Sequence, residues 1–235
     1  MSAFRLLRDL DPRCLGYSGY IDERSSRWFE GDSLAARFAR ALGARRAVAM
    51  KEVVESFEFF AAVRKDARAT DLVDLCAGHG LVGALFALHE RRVEAVHLVD
   101  RKPPASRAAV LAAAAEVGPW TAAKFTLHDR QLKRAAPDLP QGAAVVAVHA
   151  CGERTDRAID IGLALGGPIA VMPCCHSKRR CPSSPALARE LGHELAIDVD
   201  RTYRMEAAGY AVRWTDVAEE ITPKNRVLVG RPPRG

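Results

Sequence analysis

The segment Asp74-Leu75-Cys76-Ala77-Gly78-His79-Gly80 lies between a short β-rich run and an apolar helical stretch, and it decides the fold that we predict. The β-rich run covers residues 72–76, and the helical stretch covers residues 81–89. Glycines at such a turn let the backbone approach a ligand more closely than a side chain would permit. A strand, a glycine turn and a helix in this order indicate the first unit of a parallel, ligand-binding sheet.

The same alternation of strands and helices continues along the rest of the chain. Further strands are predicted at residues 95–99, 123–127, 144–149, 169–172, 210–214 and 226–229. Helices are predicted over residues 106–116, from residue 155, and near residues 186–191 and 199–208. We therefore expect an α/β, Rossmann-like domain over residues 66–235, with a mostly parallel seven-stranded sheet and helices on both of its faces.

Residues 1–65 are predicted to form an N-terminal arm followed by a helical lid. The arm lacks clear periodicity and is rich in turn-forming residues. Ser33 is placed to cap a helix over residues 34–42 that ends at Gly43, and a second helix is predicted over residues 51–64. We expect these two helices to cover the binding site as an N-terminal extension of the sheet domain.

The composition is that of an ordinary globular protein, with 49% hydrophobic and 27% charged residues. At 235 residues the chain fits one α/β domain with an extension. Its N-terminus becomes charged before an apolar signal segment can form, and no apolar run is long enough to span a membrane. Six cysteines without a regular framework favour a reducing compartment, so we expect a cytoplasmic protein.

The positive charge of the chain bears on its partners. A formal net charge of +6 at pH 7 favours a polyanion such as RNA, because phosphate contacts supply much of the affinity for nucleic acids. Arginine is used heavily along the whole chain, however, so a compositional bias also explains this charge. The sequence does not determine the oligomeric state.

Acidic residues follow three consecutive predicted strands. Asp74 closes the first strand, Asp100 closes the second, and His128-Asp129 closes the third. The carboxyl ends of parallel strands meet at one edge of the sheet, where open α/β sheets bind ligands. There Asp100 can accept the hydroxyls of a ribose, and His128-Asp129 can accept an adenine amino group. The alternative is that each acid only caps the helix that follows it.

Two nucleotide cofactors fit the glycine pattern. Gly78-His79-Gly80-Leu81-Val82-Gly83 matches the dinucleotide fingerprint G-x-G-x-x-G, which together with Asp100 supports NAD(P). The carboxylate of Asp74 would repel a pyrophosphate, whereas it suits the ammonium and sulfonium groups of S-adenosylmethionine. We therefore expect S-adenosylmethionine as the cofactor. The predicted cofactor-binding residues are Asp74, Cys76, Ala77, Gly78, Gly80, Asp100, His128 and Asp129.

Cysteines and histidines follow the fourth and fifth predicted strands. The segments His149-Ala150-Cys151-Gly152 and Pro173-Cys174-Cys175-His176 would share the edge at which the donor methyl should lie. A loop with several titratable side chains favours function over packing. The candidate catalytic residues are His149, Cys151, Cys174, Cys175 and His176.

Several interpretations of this cysteine and histidine group remain open, including simple packing of small side chains. His149 or His176 can accept a proton from the methyl acceptor or orient it. A thiolate can instead add to a pyrimidine ring, as in RNA cytosine-C5 methyltransferases, with a second thiol assisting. The basic run Lys178-Arg179-Arg180 would lower thiol pKa values and attract phosphate. A metal held by Cys151, Cys174, His176 and Cys181 is a further interpretation, but the spacing is unusual and we assign no metal ligand.

The three motifs together resemble one methyltransferase family. They are Asp74-Leu75-Cys76-Ala77-Gly78-His79-Gly80, Val148-His149-Ala150-Cys151-Gly152 with Thr155-Asp156, and Pro173-Cys174-Cys175-His176. This family groups the tRNA acceptor-stem ribose 2′-O-methyltransferases with related methyltransferase-like proteins, and the similarity covers residues 50–230. The resemblance implies a Rossmann-like class I methyltransferase fold and a substrate site near the cysteine motif. It also implies that S-adenosylmethionine binds at Asp74, Gly78, Gly80, Asp100 and Asp129.

The expected activity is methyl transfer from S-adenosylmethionine to RNA, including tRNA, or to protein. One alternative is an NAD(P)-dependent oxidoreductase that uses the glycine loop. A second is a module that binds the cofactor or RNA without turnover, because a fold does not by itself imply chemistry.

Overall fold

The structure, a computed structural model, describes residues 6, 10–176 and 183–233. Within these residues, seven strands form one sheet. The strands are β1 (Asp71–Leu75), β2 (Ala95–Val99), β3 (Phe125–His128), β4 (Ala144–Val148), β5 (Ile169–Met172), β6 (Ala211–Asp216) and β7 (Arg226–Arg231). Their spatial order is β3-β2-β1-β4-β5-β7-β6. The predicted mostly parallel, seven-stranded α/β fold is therefore confirmed.

Strands β1 to β6 run in the same direction, and β7, inserted between β5 and β6, runs opposite to them. β7 pairs antiparallel with β5, and β6 pairs antiparallel with β7. β1 and β4 are neighbours, with Val73 opposite Val145. The strand order therefore changes direction between β1 and β4, which is the switch point at which open sheets of this kind bind ligands.

Helices cover both faces of the sheet. They are α1 (Arg13–Gly16), α2 (Leu34–Ala44), α3 (Met50–Val63), α4 (Leu81–His89), α5 (Arg107–Val117), α6 (Leu132–Ala135), α7 (Glu153–Leu165), α8 (Pro185–Leu191) and α9 (His193–Ala207). Two core clusters result, because successive strand residues point to opposite faces: Val146 packs in the cluster of α2 to α5, and Val145 packs in the cluster of α6, α7 and α9. None of the described helices is long and apolar enough to cross a bilayer.

Most element boundaries lie close to the predicted ones, and two differ for clear reasons. Gly43 does not end α2, which continues to Ala44; a side chain at Gly43 would overlap Ser26, so this glycine serves close packing against the arm. α9 begins at His193, well before the predicted start at residue 199, because Gly192, with a φ of 78°, ends α8 and lets a new helix start directly after it.

The two N-terminal helices pack into the same core as the sheet helices. Ser33 caps α2 as predicted, its hydroxyl oxygen accepting a hydrogen bond from the Ala36 amide at 3.1 Å. Phe38 of α2 stacks on Phe57 of α3, and Phe60 of α3 meets Phe86 of α4 edge to face. This packing fixes α3 beside the carboxyl edge of the sheet.

Candidate active site

The glycine loop after β1 has a backbone conformation that only glycine adopts without strain at one key position. Gly80 has a φ of 78°, and a Cβ there would lie 3.0 Å from Leu98 Cδ1. The Gly80 amide donates to the carbonyl of Ala77 at 2.7 Å, and the Ala77 amide donates to the carbonyl of Val99 at 3.1 Å. The loop is thereby folded tightly over the ends of β1 and β2.

Two non-glycine residues in this region also have positive φ angles. Cys76 at the end of β1 and His149 at the end of β4 both have φ of 59°. Such angles are uncommon for residues with a side chain, and they concentrate at functional sites. The two residues end the neighbouring strands at the switch point, which marks this edge of the sheet as the candidate site.

Two cavities flank the glycine loop and share Cys76. The loop cavity, of about 230 Å³, is lined by Glu52, Ser56, Asp74, Cys76, Ala77, Gly78, His79, Leu81, Val82, Pro104, Val148 and His149. The basic cavity, of about 510 Å³, is lined by Cys76, Asp100, Arg101, Lys102, Gln131, Leu132, Arg154 and Arg157. An elongated ligand can thus occupy both sides of the loop.

Asp74 is a buried carboxyl at the wall of the loop cavity. Its side chain accepts a hydrogen bond from the Gly83 amide at 3.0 Å, and the residue is only 2% exposed. Burial, with a smaller contribution from Asp100, raises the pKa of Asp74 to about 7. A cationic group in the cavity would favour the ionised carboxylate, so this position fits a positively charged ligand.

Asp100 is held by the backbone on the other side of the loop. One carboxylate oxygen accepts from the Gly78 amide at 3.0 Å, and the other accepts from the Lys102 amide at 2.9 Å. Each oxygen retains a lone pair for a further donor. Since Asp100 also lines the basic cavity, the arrangement suits two adjacent hydroxyls such as those of a ribose.

His128 and Asp129 do not line either cavity. Asp129 accepts from Arg107 Nη1 at 2.5 Å, and Arg107 Nε donates to the Gly78 carbonyl at 3.3 Å. His128 Nε2 instead lies 3.1 Å from Nδ1 of His97. Asp129 thus contacts the glycine loop only indirectly, by holding the Arg107 side chain that binds the Gly78 carbonyl. The cavity at the end of β3 is lined by Gln131 and Leu132.

His149 is paired with a buried acid that the sequence motifs did not reveal. His149 Nε2 lies 2.9 Å from Oε2 of Glu55 on α3, and Glu55 is 2% exposed. The hydrogen bond that His149 donates to the Glu55 carboxylate raises the pKa of His149. With Nε2 engaged, Nδ1 is the ring nitrogen that remains for a ligand in the loop cavity.

Cys151, Cys174 and Cys175 come together beside the site, but none of them lines the loop cavity or the basic cavity. Burial and the adjacent Cys151 thiol raise the pKa of Cys174. The basic run at residues 178–180, from which we expected lower thiol pKa values, lies outside the described residues, as does Cys181.

His176 points away from both cavities into a buried charged network. Its Nε2 lies 3.0 Å from Oδ1 of Asp198 on α9, and both side chains are almost fully buried. Asp198 also accepts from Arg201 and Arg226. Burial works to raise the pKa of Asp198, but the hydrogen bonds with His176 and Arg226 hold it below its ordinary value. His176 therefore anchors the loop after β5.

The acids of α3 were missed because their sequence context is that of a core helix. Glu52 and Glu55 lie in a run of valines and phenylalanines. The feature that could have revealed Glu55 is an acid on the buried face of an apolar helix, because a buried charge needs a partner. Glu52 reaches the glycine loop, with Oε2 3.3 Å from His79 Nε2.

Several solved structures are similar to this chain in their overall fold. No curated protein matches the sequence. The fibrillarin pre-rRNA processing protein from Methanococcus jannaschii is 15% identical, covers 77% of this chain and 74% of its own, and gives a TM-score of 0.50. The methyltransferase domain of bacterial CtHen1 is 15% identical, covers 72% of this chain and 93% of its own, and gives a TM-score of 0.45. Precorrin 8w decarboxylase from Methanobacterium thermoautotrophicum is 15% identical, covers 72% of this chain and 84% of its own, and gives a TM-score of 0.42.

The sequence comparison with protein families identifies the domain. A family described as methyltransferase domain matches residues 49–181, which is more than half of the chain. The match runs from α3 to the cysteine-rich loop and so contains the glycine loop, both cavities and the Glu55–His149 pair. The chain therefore belongs to this methyltransferase-domain family.

Proposed function

We propose that this protein transfers a methyl group from S-adenosylmethionine to RNA. The observation that carries the cofactor assignment is the buried carboxyl of Asp74, whose pKa is raised to about 7 beside an open cavity at the glycine loop. A ligand with an ammonium and a sulfonium group would ionise this carboxyl on binding. A pyrophosphate at the same place would meet a buried acid, which disfavours NAD(P).

The two cavities match the two halves of S-adenosylmethionine. The methionine half fits the loop cavity, where Asp74 and Glu52 complement its positive charge. The adenosine half fits the basic cavity, where Asp100 accepts from the ribose and the Gln131 amide is available to the base. Cys76 separates the halves, and burial raises the pKa of its thiol to about 11, so it stays neutral.

His149 is the residue that we assign to the methyl acceptor. S-adenosylmethionine supplies an activated methyl group when it is bound. His149 lines the cavity that would hold the methionine half, and Glu55 fixes its ring through Nε2. Nδ1 can then orient the nucleophile of the acceptor or take its proton. Cys151, Cys174 and Cys175 do not line either cavity, and the thiol of Cys76 stays neutral, so the proposed chemistry uses no covalent enzyme intermediate.

RNA is the acceptor that the charges favour. The basic cavity carries four cationic side chains, Arg101, Lys102, Arg154 and Arg157. Arg157 lies 3.8 Å from Glu153, but the carboxylate of S-adenosylmethionine belongs to the methionine half in the loop cavity, so the basic cavity keeps an excess of positive charge. Backbone phosphates of an RNA would supply the remaining negative charge, and the net charge of +6 acts in the same direction.

Calorimetric titration of the purified chain with S-adenosylmethionine and with NAD tests the cofactor assignment. We expect binding of S-adenosylmethionine that is weakened by Asp74→Ala. The matched control is Asp71→Ala, which changes an acid at the opposite end of β1. Binding of NAD without binding of S-adenosylmethionine would sink the proposal.

The acceptor class is tested with radiolabelled methyl groups. Extracts from cells that lack the protein are incubated with it and labelled S-adenosylmethionine, and the products are treated with nuclease or protease. Loss of label on nuclease treatment supports RNA. Label that only protease removes indicates a protein acceptor, and label that resists both indicates a small molecule.

A further inference from the structure

Three thiols form a compact cluster at the carboxyl ends of β4 and β5. The sulfur atoms of Cys151, Cys174 and Cys175 all lie within 4.8 Å of one another, and all three cysteines are free. Sγ of Cys151 lies 3.0 Å from Sγ of Cys174. The three residues come from two different loops, so their convergence is a property of the fold and not of local sequence.

The backbone holds the two loops in register. The Gly152 amide donates to the carbonyl of Cys175 at 3.1 Å, which ties the loop after β4 to the loop after β5. Gly152 has a φ of 62°, and the Cys151 amide donates to the carbonyl of His149 at 2.8 Å, so the chain turns sharply at the cluster. The thiols are therefore presented by a preorganised frame.

The adjacent histidine is not part of the cluster. Nε2 of His176 is engaged by Asp198, and its ring is buried against α9. Sequence spacing suggests Cys151, Cys174, His176 and Cys181 as a ligand set. Within the described residues the structure groups Cys175, and not His176, with Cys151 and Cys174, while Cys181 lies outside those residues. The donor set within the described residues is therefore three sulfur atoms.

We propose that Cys151, Cys174 and Cys175 bind a thiophilic divalent cation such as Zn²⁺, with no fourth ligand among the residues that the structure describes. Zinc–sulfur bonds of about 2.3 Å in a tetrahedral site place sulfur atoms ~3.8 Å apart. The observed separations, from 3.0 Å to within 4.8 Å, bracket that spacing. Thiolates are the ligands that select zinc over the hard cations Mg²⁺ and Ca²⁺.

The charge and exposure of the cluster suit such an ion. Three thiolates and one Zn²⁺ carry a net charge of only −1, which solvent can stabilise because the cluster is partly exposed. Cys175 is exposed, whereas Cys151 and Cys174 are partly buried, so a water or an external ligand can reach the fourth position. The cluster lies outside both cavities, and this site does not depend on the proposed methyl transfer.

Cobalt titration of the reduced, metal-stripped full chain tests the site. Co²⁺ bound to thiolates gives a sulfur-to-metal charge-transfer band in the near ultraviolet and tetrahedral d–d bands in the visible. We expect one Co²⁺ per chain, displaced by Zn²⁺. Cys175→Ser, the exposed and least disruptive change, should weaken Co²⁺ binding by about tenfold or more, and Cys151→Ser and Cys174→Ser should do the same.

Cys14→Ser is the matched control, because Cys14 lies in α1 away from the cluster and should leave the Co²⁺ spectrum unchanged. The proposal is overturned if the wild-type chain shows no charge-transfer band. It is equally overturned if Cys175→Ser binds Co²⁺ as tightly as the wild type. The competing state is a disulfide between Cys151 and Cys174, which a count of free thiols on the same sample, prepared without oxygen, would detect. A disulfide in a chain that binds no metal also rejects the proposal.

Discussion

Oε2 of Glu55 lies 2.9 Å from Nε2 of His149 and joins the N-terminal helix α3 to the end of β4 across a separation of 94 residues. Glu55 is 2% exposed, so the acid is held in place by the surrounding core. The contact fixes the histidine ring at the wall of the loop cavity. α3 is thereby part of the site as well as a neighbour of the sheet.

Removing this pair should impair methyl transfer more than cofactor binding. His149→Ala should lower the rate of methyl transfer by about 10²–10⁴-fold, because a positioned acid–base group is lost. Glu55→Gln should give an intermediate rate, since the ring stays but its orientation is less firmly fixed. Single-turnover assays measure the rate of methyl transfer, and calorimetric titration measures the affinity for S-adenosylmethionine, so the two effects are separated.

Glu58→Gln is the control for the Glu55 change, because Glu58 is also buried on α3 but bonds the Leu6 amide instead of His149. Its transfer rate should equal that of the wild type. Equal rates for Glu55→Gln and the wild type would show that the pair has no part in the reaction.

The affinity for S-adenosylmethionine should rise with pH. Because the pKa of Asp74 is raised to about 7, the carboxyl of the free protein is largely protonated at pH 6 and ionised at pH 8. A cationic ligand needs the ionised form, so binding should be about tenfold weaker at pH 6 than at pH 8. Calorimetry in two buffers of different ionisation enthalpy should show proton release on binding at the lower pH. Asp74→Asn should bind weakly and without this pH dependence.

The same carboxyl should lower the stability of the free protein as pH rises. Its folded pKa of about 7 exceeds the ordinary value of 3.8, so the folded state binds the extra proton between those values. The contribution of the Asp74 carboxyl to stability is therefore fully present below pH 4, declines up to pH 7 and is level above it; the total loss of this contribution is about 4 kcal/mol. Asp74→Asn cannot ionise and should lack this decline. Urea unfolding across the pH range measures this decline in the free energy of unfolding. The control Asp71→Asn should show the same pH dependence as the wild type.

Gly80→Ala should damage both folding and cofactor binding. A positive φ costs a residue with a Cβ about 1–2 kcal/mol, and at Gly80 the Cβ would also press on Leu98. Gly142 has a similar φ of 76° but no atom within 4 Å of such a Cβ, so Gly142→Ala isolates the backbone cost. We expect Gly80→Ala to be the less stable variant and to lose affinity for S-adenosylmethionine, whereas Gly142→Ala keeps it. Denaturant unfolding and calorimetry compare the two, and equal effects would contradict the assigned role.

Asp198→Ala should destabilise the fold strongly. It leaves His176 and Arg201 without their shared carboxylate in a buried site, which costs about 3–5 kcal/mol. Asp160→Ala changes an exposed acid whose ion pair with Arg204 is 3.6 Å long, and it should alter stability by less than about 0.5 kcal/mol. Thermal unfolding distinguishes the variants. A small loss of stability in Asp198→Ala would contradict this prediction and would mean that water hydrates the charges left without a partner.

The elements of the sheet could be predicted because each depends on its own residues. The ranges of α4, β2 and β5 agree with the predicted ones residue for residue. Their signals are local: an apolar helical run after glycine for α4, and short β-branched runs for the strands. The position of Asp74 and Asp100 beside the glycine loop follows from the same signals, since parallel strands end at a common edge.

The partners of the site residues could not be predicted in this way. Glu55 and His149 are brought together by the packing of α3 on the sheet, and His176 is drawn to Asp198 by a helix that the cysteine motif does not contain. Sequence spacing grouped His176 with the cysteines, while the fold separates them.

The sequence by itself determined the alternating elements, the parallel sheet and the glycine loop, because hydrophobic periodicity and glycine act over a few neighbouring residues. Only the tertiary structure decided which side chains share a cavity, which acid holds His149, and that three thiols converge beside it. Those choices depend on how distant helices pack, and the free energy of that packing is spread over the whole core and not over any one motif.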